Sequence, residues 1–172
     1  MISQIFSLSS GTAVYQLLVL LSFPYFALNY DISVFSEYGQ YGAVLSIAAV
    51  WSVARLNQAI LISKCQKDRA ISVIVGSLFS ILVAIISFFI VIVLDLSYHL
   101  RFIPLSIIAF ALFELVTSLK IVNSKHSHVS ALFLLYGIFT LLLQYLFIDL
   151  RSDGLIEAKI IGDTFLLILS LF

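Results

Sequence analysis

Long apolar runs separated by short polar connections constrain this chain more than any other feature. About 20 apolar residues at 1.5 Å rise cross the hydrocarbon of a bilayer as a helix. Inside lipid the backbone must satisfy its own hydrogen bonds, which leaves helices and closed barrels. Read this way, the chain is all-α, a polytopic integral membrane helix bundle with six spans. They fall at about 11–29, 41–63, 70–94, 104–122, 129–148 and 156–172, in a single domain. Of the 172 residues, 62% are hydrophobic and 10% charged. Soluble domains run about 45–50% apolar and about 25% charged, so a water-soluble fold could not hide this much apolar surface.

Several function classes drop out. Formal net charge is zero, and without a basic patch or a binding motif, nucleic acid is not an expected partner. Cys65 is the only cysteine, so neither an internal disulfide nor a cysteine-based zinc site can form. His126 and His128 form a His-x-His with no third ligand nearby, and read as part of a solvated basic connection instead of a metal site. There is no nucleophile elbow, zincin helix, phosphate-binding loop or dinucleotide fingerprint. The expectation is a non-enzyme with no catalytic residues, no cofactor and no metal. The first apolar run lacks a positive flank and a small-residue cleavage site, and reads as a retained helix.

Along the chain, Ser9, Ser10 and Thr12 are candidate caps for the first span, Gln16 lies within it, and Pro24 should kink it. An acidic connection is expected at 31–37, and basic ones at 64–69 and 123–128. Gly76 and neighbouring serines mark close-packing positions in the third span. Pro104 suits the first turn of the fourth. Tyr38, Tyr41, Trp51 and Tyr98 suit the membrane–water interface. Lys64, Lys67, Arg69, Lys120 and Lys125 fall in the even connections, and Arg101, Arg151 and Lys159 in the odd ones. This bias places the even connections, and both termini, in the cytoplasm. The last apolar run ends at Phe172 without a closing polar flank, which reads as an interruption.

The second span carries the functional signal. Arg55 lies near its middle with Asn57 and Gln58 beside it. A central arginine costs about 2.5–3.5 kcal/mol on insertion scales, so such a residue faces a bundle interior or a water-filled cavity. On a continuous helix Ser52, Arg55, Gln58 and Ala59 share one face, a small-and-polar stripe turned toward a cavity. Arg55 would then bind an anionic group. The alternative is a structural ion pair or an arginine satisfied by carbonyls. Glu114 in the fourth span is the acidic candidate, as partner to Arg55 or as a coupling group. Gln16, Asn57, Gln58 and Gln144 suit interhelical hydrogen bonding or a place in the cavity wall. Asp163, close to the end of the chain, is given no role.

The run FSEYGQYGAVLSIAAVWSVARLNQAILIS resembles the second-helix region of bacterial polysaccharide and O-antigen repeat-unit flippases. These belong to the multidrug/oligosaccharidyl-lipid/polysaccharide exporter superfamily. The positions that carry the likeness are Tyr38, Gly39, Tyr41 and Gly42, then Arg55, Ala59 and Ile60. The opening GTAVYQLLVLLSFPYFALNY, with Gln16 and Pro24, is similar to the family's first helix. Asn123, Lys125, Gln144, Gly154, Leu155, Ile156 and Gly162 follow the pattern of its fourth to sixth helices. The resemblance covers nearly the whole chain as the N-terminal half of a family member. Two features depart from it: Ala27, Leu28 and Asn29 stand where many members carry an arginine, and the second six-helix lobe is absent.

The resemblance implies a truncated or half-size flippase, one lobe of a machine that moves lipid-linked oligosaccharide repeat units across the bacterial inner membrane by alternating access, and a nonfunctional truncated product stays open beside it. It implies a cavity cation, Arg55, for the anionic headgroup, with Ser52, Gln58, Gln16 and Gln144 around it. Expected partners are the lipid-linked oligosaccharide, membrane lipid, and either a homodimer mate or a separate second-lobe chain. Two other readings stay open. One is a non-transporting membrane subunit of a glycan-assembly complex. The other is a drug or cation exporter of the same superfamily, which would want an acidic cavity.

Overall fold

The structure, a computed structural model, describes residues 2–96, 98–123, 126–148 and 154–170, without the side chains of 2–12 and 170. Every regular element among them is helical: α1 Ile2–Asn29, α2 Ile32–Val53, α3 Leu56–Ile62, α4 Gln66–Val93, a 3-10 turn Tyr98–Phe102, α5 Ile103–Val122, α6 His126–Leu146 and α7 Gly154–Ser170. Length and composition alone let three stretches cross a membrane: α4, the 3-10 turn with α5, and α6. The bent pair α2 and α3 makes a fourth if it counts as one span. Within α1, the part with described side chains, Ala13–Asn29, is an apolar stretch of 17 residues. Helix α7 also has 17, and carries Glu157, Lys159 and Asp163.

Most helices begin earlier than hydropathy alone suggests. Ser9, Ser10 and Thr12 lie inside α1 and not at its start. Helix α2 absorbs most of the expected acidic connection, leaving a link of Tyr30 and Asp31. His126 and His128 form the first turn of α6 and are not a loop. Lys67 and Arg69 belong to α4, and Lys159 to α7. A polar first turn is compatible with a helix as long as its side chains reach water, and hydropathy cannot see that extension. The turn between α3 and α4 is three residues long, and Arg69 closes it. Its Nε and Nη2 donate to the Ser63 carbonyl at 2.9 and 2.7 Å, satisfying an acceptor that the end of a helix leaves open.

Helix α5 is the hub, with contacts to α2, α3, α4, α6 and α7. Its sequence supplies small or compact residues where neighbours converge: Ser106, Ala109, Ala111, Thr117 and Ser118 are all buried. Half of its apolar window is buried, against 17% for α4. Helix α4 is therefore peripheral, and its outer face is the apolar surface that lipid would cover. Gly76 lets α4 approach α5, since a Cβ there would meet Leu115 Cδ2 at 2.9 Å. Helix α1 rests on α6 and meets α2 beside their link, where the Phe23 and Phe35 rings lie edge to face at 5.1 Å; away from that link the bundle is open between α1 and α2.

The expected continuous second span is broken. Ala54 (φ 46°, ψ 35°) and Arg55 (φ 60°, ψ 15°) both adopt the left-handed conformation. Helices α2 and α3 diverge there by 47°. Left-handed backbone costs an ordinary residue roughly 1–2 kcal/mol, and no glycine stands at either position to ease it. The compensation is tertiary, because α3 lies against both α4 and α5 with Ile60 fully buried.

Candidate functional site: a cleft at the helix break and a buried charge network

The break at 54–55 dissolves the stripe expected on a continuous helix. Ser52 is completely buried, and its Oγ donates to the Ala49 carbonyl at 2.8 Å. Arg55 and Gln58 are exposed. They line a cleft of about 240 Å³ with Asn57 and Glu114, walled by Ala49, Val50, Val53 and Phe110. Asn57 Nδ2 donates to Glu114 Oε2 at 3.0 Å, and the Asn57 side-chain carbonyl accepts the Gln58 backbone N–H at 2.9 Å. Arg55 and Glu114 therefore share one cleft, but no ion pair joins them among the described residues. The neighbour that engages Glu114 is Asn57.

The other expected cavity residues lie elsewhere. Gln16 is exposed on α1, beside Tyr15, Leu20 and Pro24. Gln144 is buried in α6. Its Nε2 reaches Tyr38 Oη at 3.5 Å, and its backbone carbonyl accepts Tyr30 Oη at 2.7 Å. Of the expected set, the cleft contains Arg55, Gln58 and Glu114. Tyr41 is fully buried instead of lying at an interface, whereas Trp51 and Tyr98 are exposed.

The charges deepest in the fold are ones that hydropathy passed over. Asp163 is fully buried and pairs with Lys159 one turn earlier on α7. Lys159 Nζ also donates to Tyr136 Oη at 2.7 Å. Tyr136 Oη donates to Asp163 Oδ1 at 2.9 Å, and Tyr41 Oη to Asp163 Oδ2 at 3.1 Å. Tyr41 thus spends its proton on the carboxylate, and Ser106 Oγ supplies the hydrogen of the 2.5 Å contact between the two hydroxyls. The ammonium lies 5.0 Å from the centre of the Phe110 ring, a cation–π distance. One carboxylate thereby joins α7 to α2 and α6, and through Ser106 to α5.

A sequence signal for this network existed. Lys159 and Asp163 are i and i+4, the spacing that sets opposite charges together on a helix. Assigning Lys159 to a loop removed it from view. The network is closed, because both carboxylate oxygens are engaged by donors. The cleft is open, with Arg55 lacking an acidic partner among the described residues. A third space, an aromatic chamber of about 240 Å³, adjoins the cleft through Ala49 and Phe110. Its walls include Phe113, Phe133 and Tyr136, with Lys159. No group of three or more potential metal ligands occurs among the described residues. Comparison with protein-family models, curated proteins and solved structures finds no match to this chain.

Proposed function

We propose that this chain is one lobe of a flippase that moves lipid-linked oligosaccharide repeat units across a bacterial inner membrane. The observation that carries the reading is the cleft at the α2–α3 break, where Arg55 lies among mostly apolar helices without pairing to an acidic side chain among the described residues. Ionisable groups in membrane helices are costly and mark ligand or ion pathways. The adjoining aromatic chamber gives an apolar continuation to a polar cleft, which suits an amphiphilic ligand. The family resemblance supplies the glycan and the alternating-access mechanism. In this reading α1 and α7 also cross the membrane, making six passes with the bent pair as one. The even connections face the cytoplasm. A second lobe, as another copy of this chain or as a separate second-lobe chain, closes the open side between α1 and α2.

The test is complementation of a flippase-deficient cell, with membrane abundance measured in parallel. Arg55→Ala should abolish surface glycan at near-normal abundance, and Arg55→Lys should retain part of it. Normal export by Arg55→Ala would rule out the cleft as the site.

A further inference from the structure

We propose that the cleft at the α2–α3 break recognises a zwitterionic group, an anion and an ammonium a few bonds apart, of the phosphoethanolamine type. The inference rests on the cleft being the ligand site of the proposed function.

Two opposite charges share about 240 Å³, yet they do not pair with each other. Glu114 is drawn to Asn57 at 3.0 Å. Arg55 departs from the helix break, where its backbone is left-handed. A monoanion would satisfy the guanidinium and be repelled by the carboxylate. A monocation would do the reverse. Either would leave one of the two charged walls uncompensated. A ligand with both charges neutralises both walls. The planar guanidinium suits phosphate or carboxylate oxygens, and the free capacity of Glu114 suits an N–H donor. Exposed Gln58 and half-buried Asn57 supply polar contacts between them. A lipid headgroup and a soluble or glycan-borne phosphoethanolamine share this chemistry.

The full chain, purified in detergent, is offered equal amounts of phosphatidylethanolamine and phosphatidylglycerol, and the bound lipids are counted by native mass spectrometry. The wild type should favour phosphatidylethanolamine by roughly fivefold, the scale of one partly screened ion pair. Glu114→Gln should erase that preference, and Arg55→Gln should weaken retention of both lipids. The swap Arg55→Glu with Glu114→Arg should restore the preference, because both charges remain in the cleft. A second arm adds soluble O-phosphoethanolamine. Displacement of the lipid assigns the site to the headgroup chemistry from any source, and persistence of the lipid preference assigns it to the bilayer lipid. Equal retention of the two lipids by the wild type, or a ratio unmoved by Glu114→Gln, overturns the inference. The wild-type ratio needs no variant to fold. Loss of export in Arg55→Ala without headgroup preference would end this inference and leave the transport reading standing. Preference together with normal export would do the opposite.

Discussion

Arg55 and Lys159 are both cations within apolar sequence, and their surroundings give them opposite duties. Lys159 is enclosed by Asp163, Tyr136 and Phe110, so removing it strands a buried carboxylate. Lys159→Met should destabilise the chain by about 3–5 kcal/mol, the usual effect of breaking a buried pair. Lys159→Met with Asp163→Leu should recover much of this. Recovery will be incomplete, because the Tyr136 hydroxyl loses its acceptor, at about 1–3 kcal/mol for an unsatisfied group, whereas Tyr41 can turn its hydrogen to Ser106 Oγ. Thermal unfolding in detergent measures both. A double variant no more stable than Lys159→Met would show that the pair is not the source of the loss. Arg55 has no comparable enclosure. Arg55→Ala should leave the unfolding midpoint within about 0.5 kcal/mol of wild type, the range of an exposed substitution. A large loss there would give it a structural role.

At the scale of the element, the α2–α3 break decides what the cleft contains. It can be tested by the sign of one substitution. Ala54 is left-handed, where glycine has no penalty to relieve. Ala54→Gly should therefore raise the unfolding midpoint, by the equivalent of about 1 kcal/mol. In a continuous helix the same change would lower stability by about 0.8–1.0 kcal/mol. Ala54→Val should be destabilising, since branching at Cβ aggravates positive φ. A lowered midpoint for Ala54→Gly would mean an unbroken second span, and would return Ser52 and Arg55 to one face.

For the whole molecule, α5 fixes the sidedness that can be measured. Its 20 residues make a helix of about 30 Å, the thickness of bilayer hydrocarbon. Tyr98 and Asn123 stand exposed on either side of it. In a Cys65→Ser background, Tyr98→Cys should react with an impermeant maleimide from outside, and Asn123→Cys only after permeabilisation. Reversed labelling would invert the proposed orientation, and same-side labelling would remove α5 as a span. Placing Lys159 inside α7 takes one cation out of an odd connection, but α4 takes Lys67 and Arg69 and α5 takes Lys120 out of even ones, so the labelling decides the orientation. Ser97, Ser124, Lys125 and Arg151 lie outside the described residues.

Sequence alone determined the class of this protein. Apolar runs of membrane length admit little but helices, because backbone hydrogen bonds in lipid close only within the segment or within a closed barrel. The helices centred on α4, α5 and α6 follow from that rule, as does the close approach at Gly76. Arg55 and Glu114 were legible as costly charges in apolar surroundings. Their relation was not, because it turns on which contacts compete for each side chain. Only the tertiary structure broke the second span, since helix periodicity carries no term for packing α3 against α4 and α5. Only the tertiary structure made Asp163 a centre of the bundle. A charge near the end of an apolar run looks the same in sequence whether it faces water or a lysine and two tyrosines. The lysine is one turn away, but the tyrosines that close the site lie 27 and 122 residues from Asp163 along the chain.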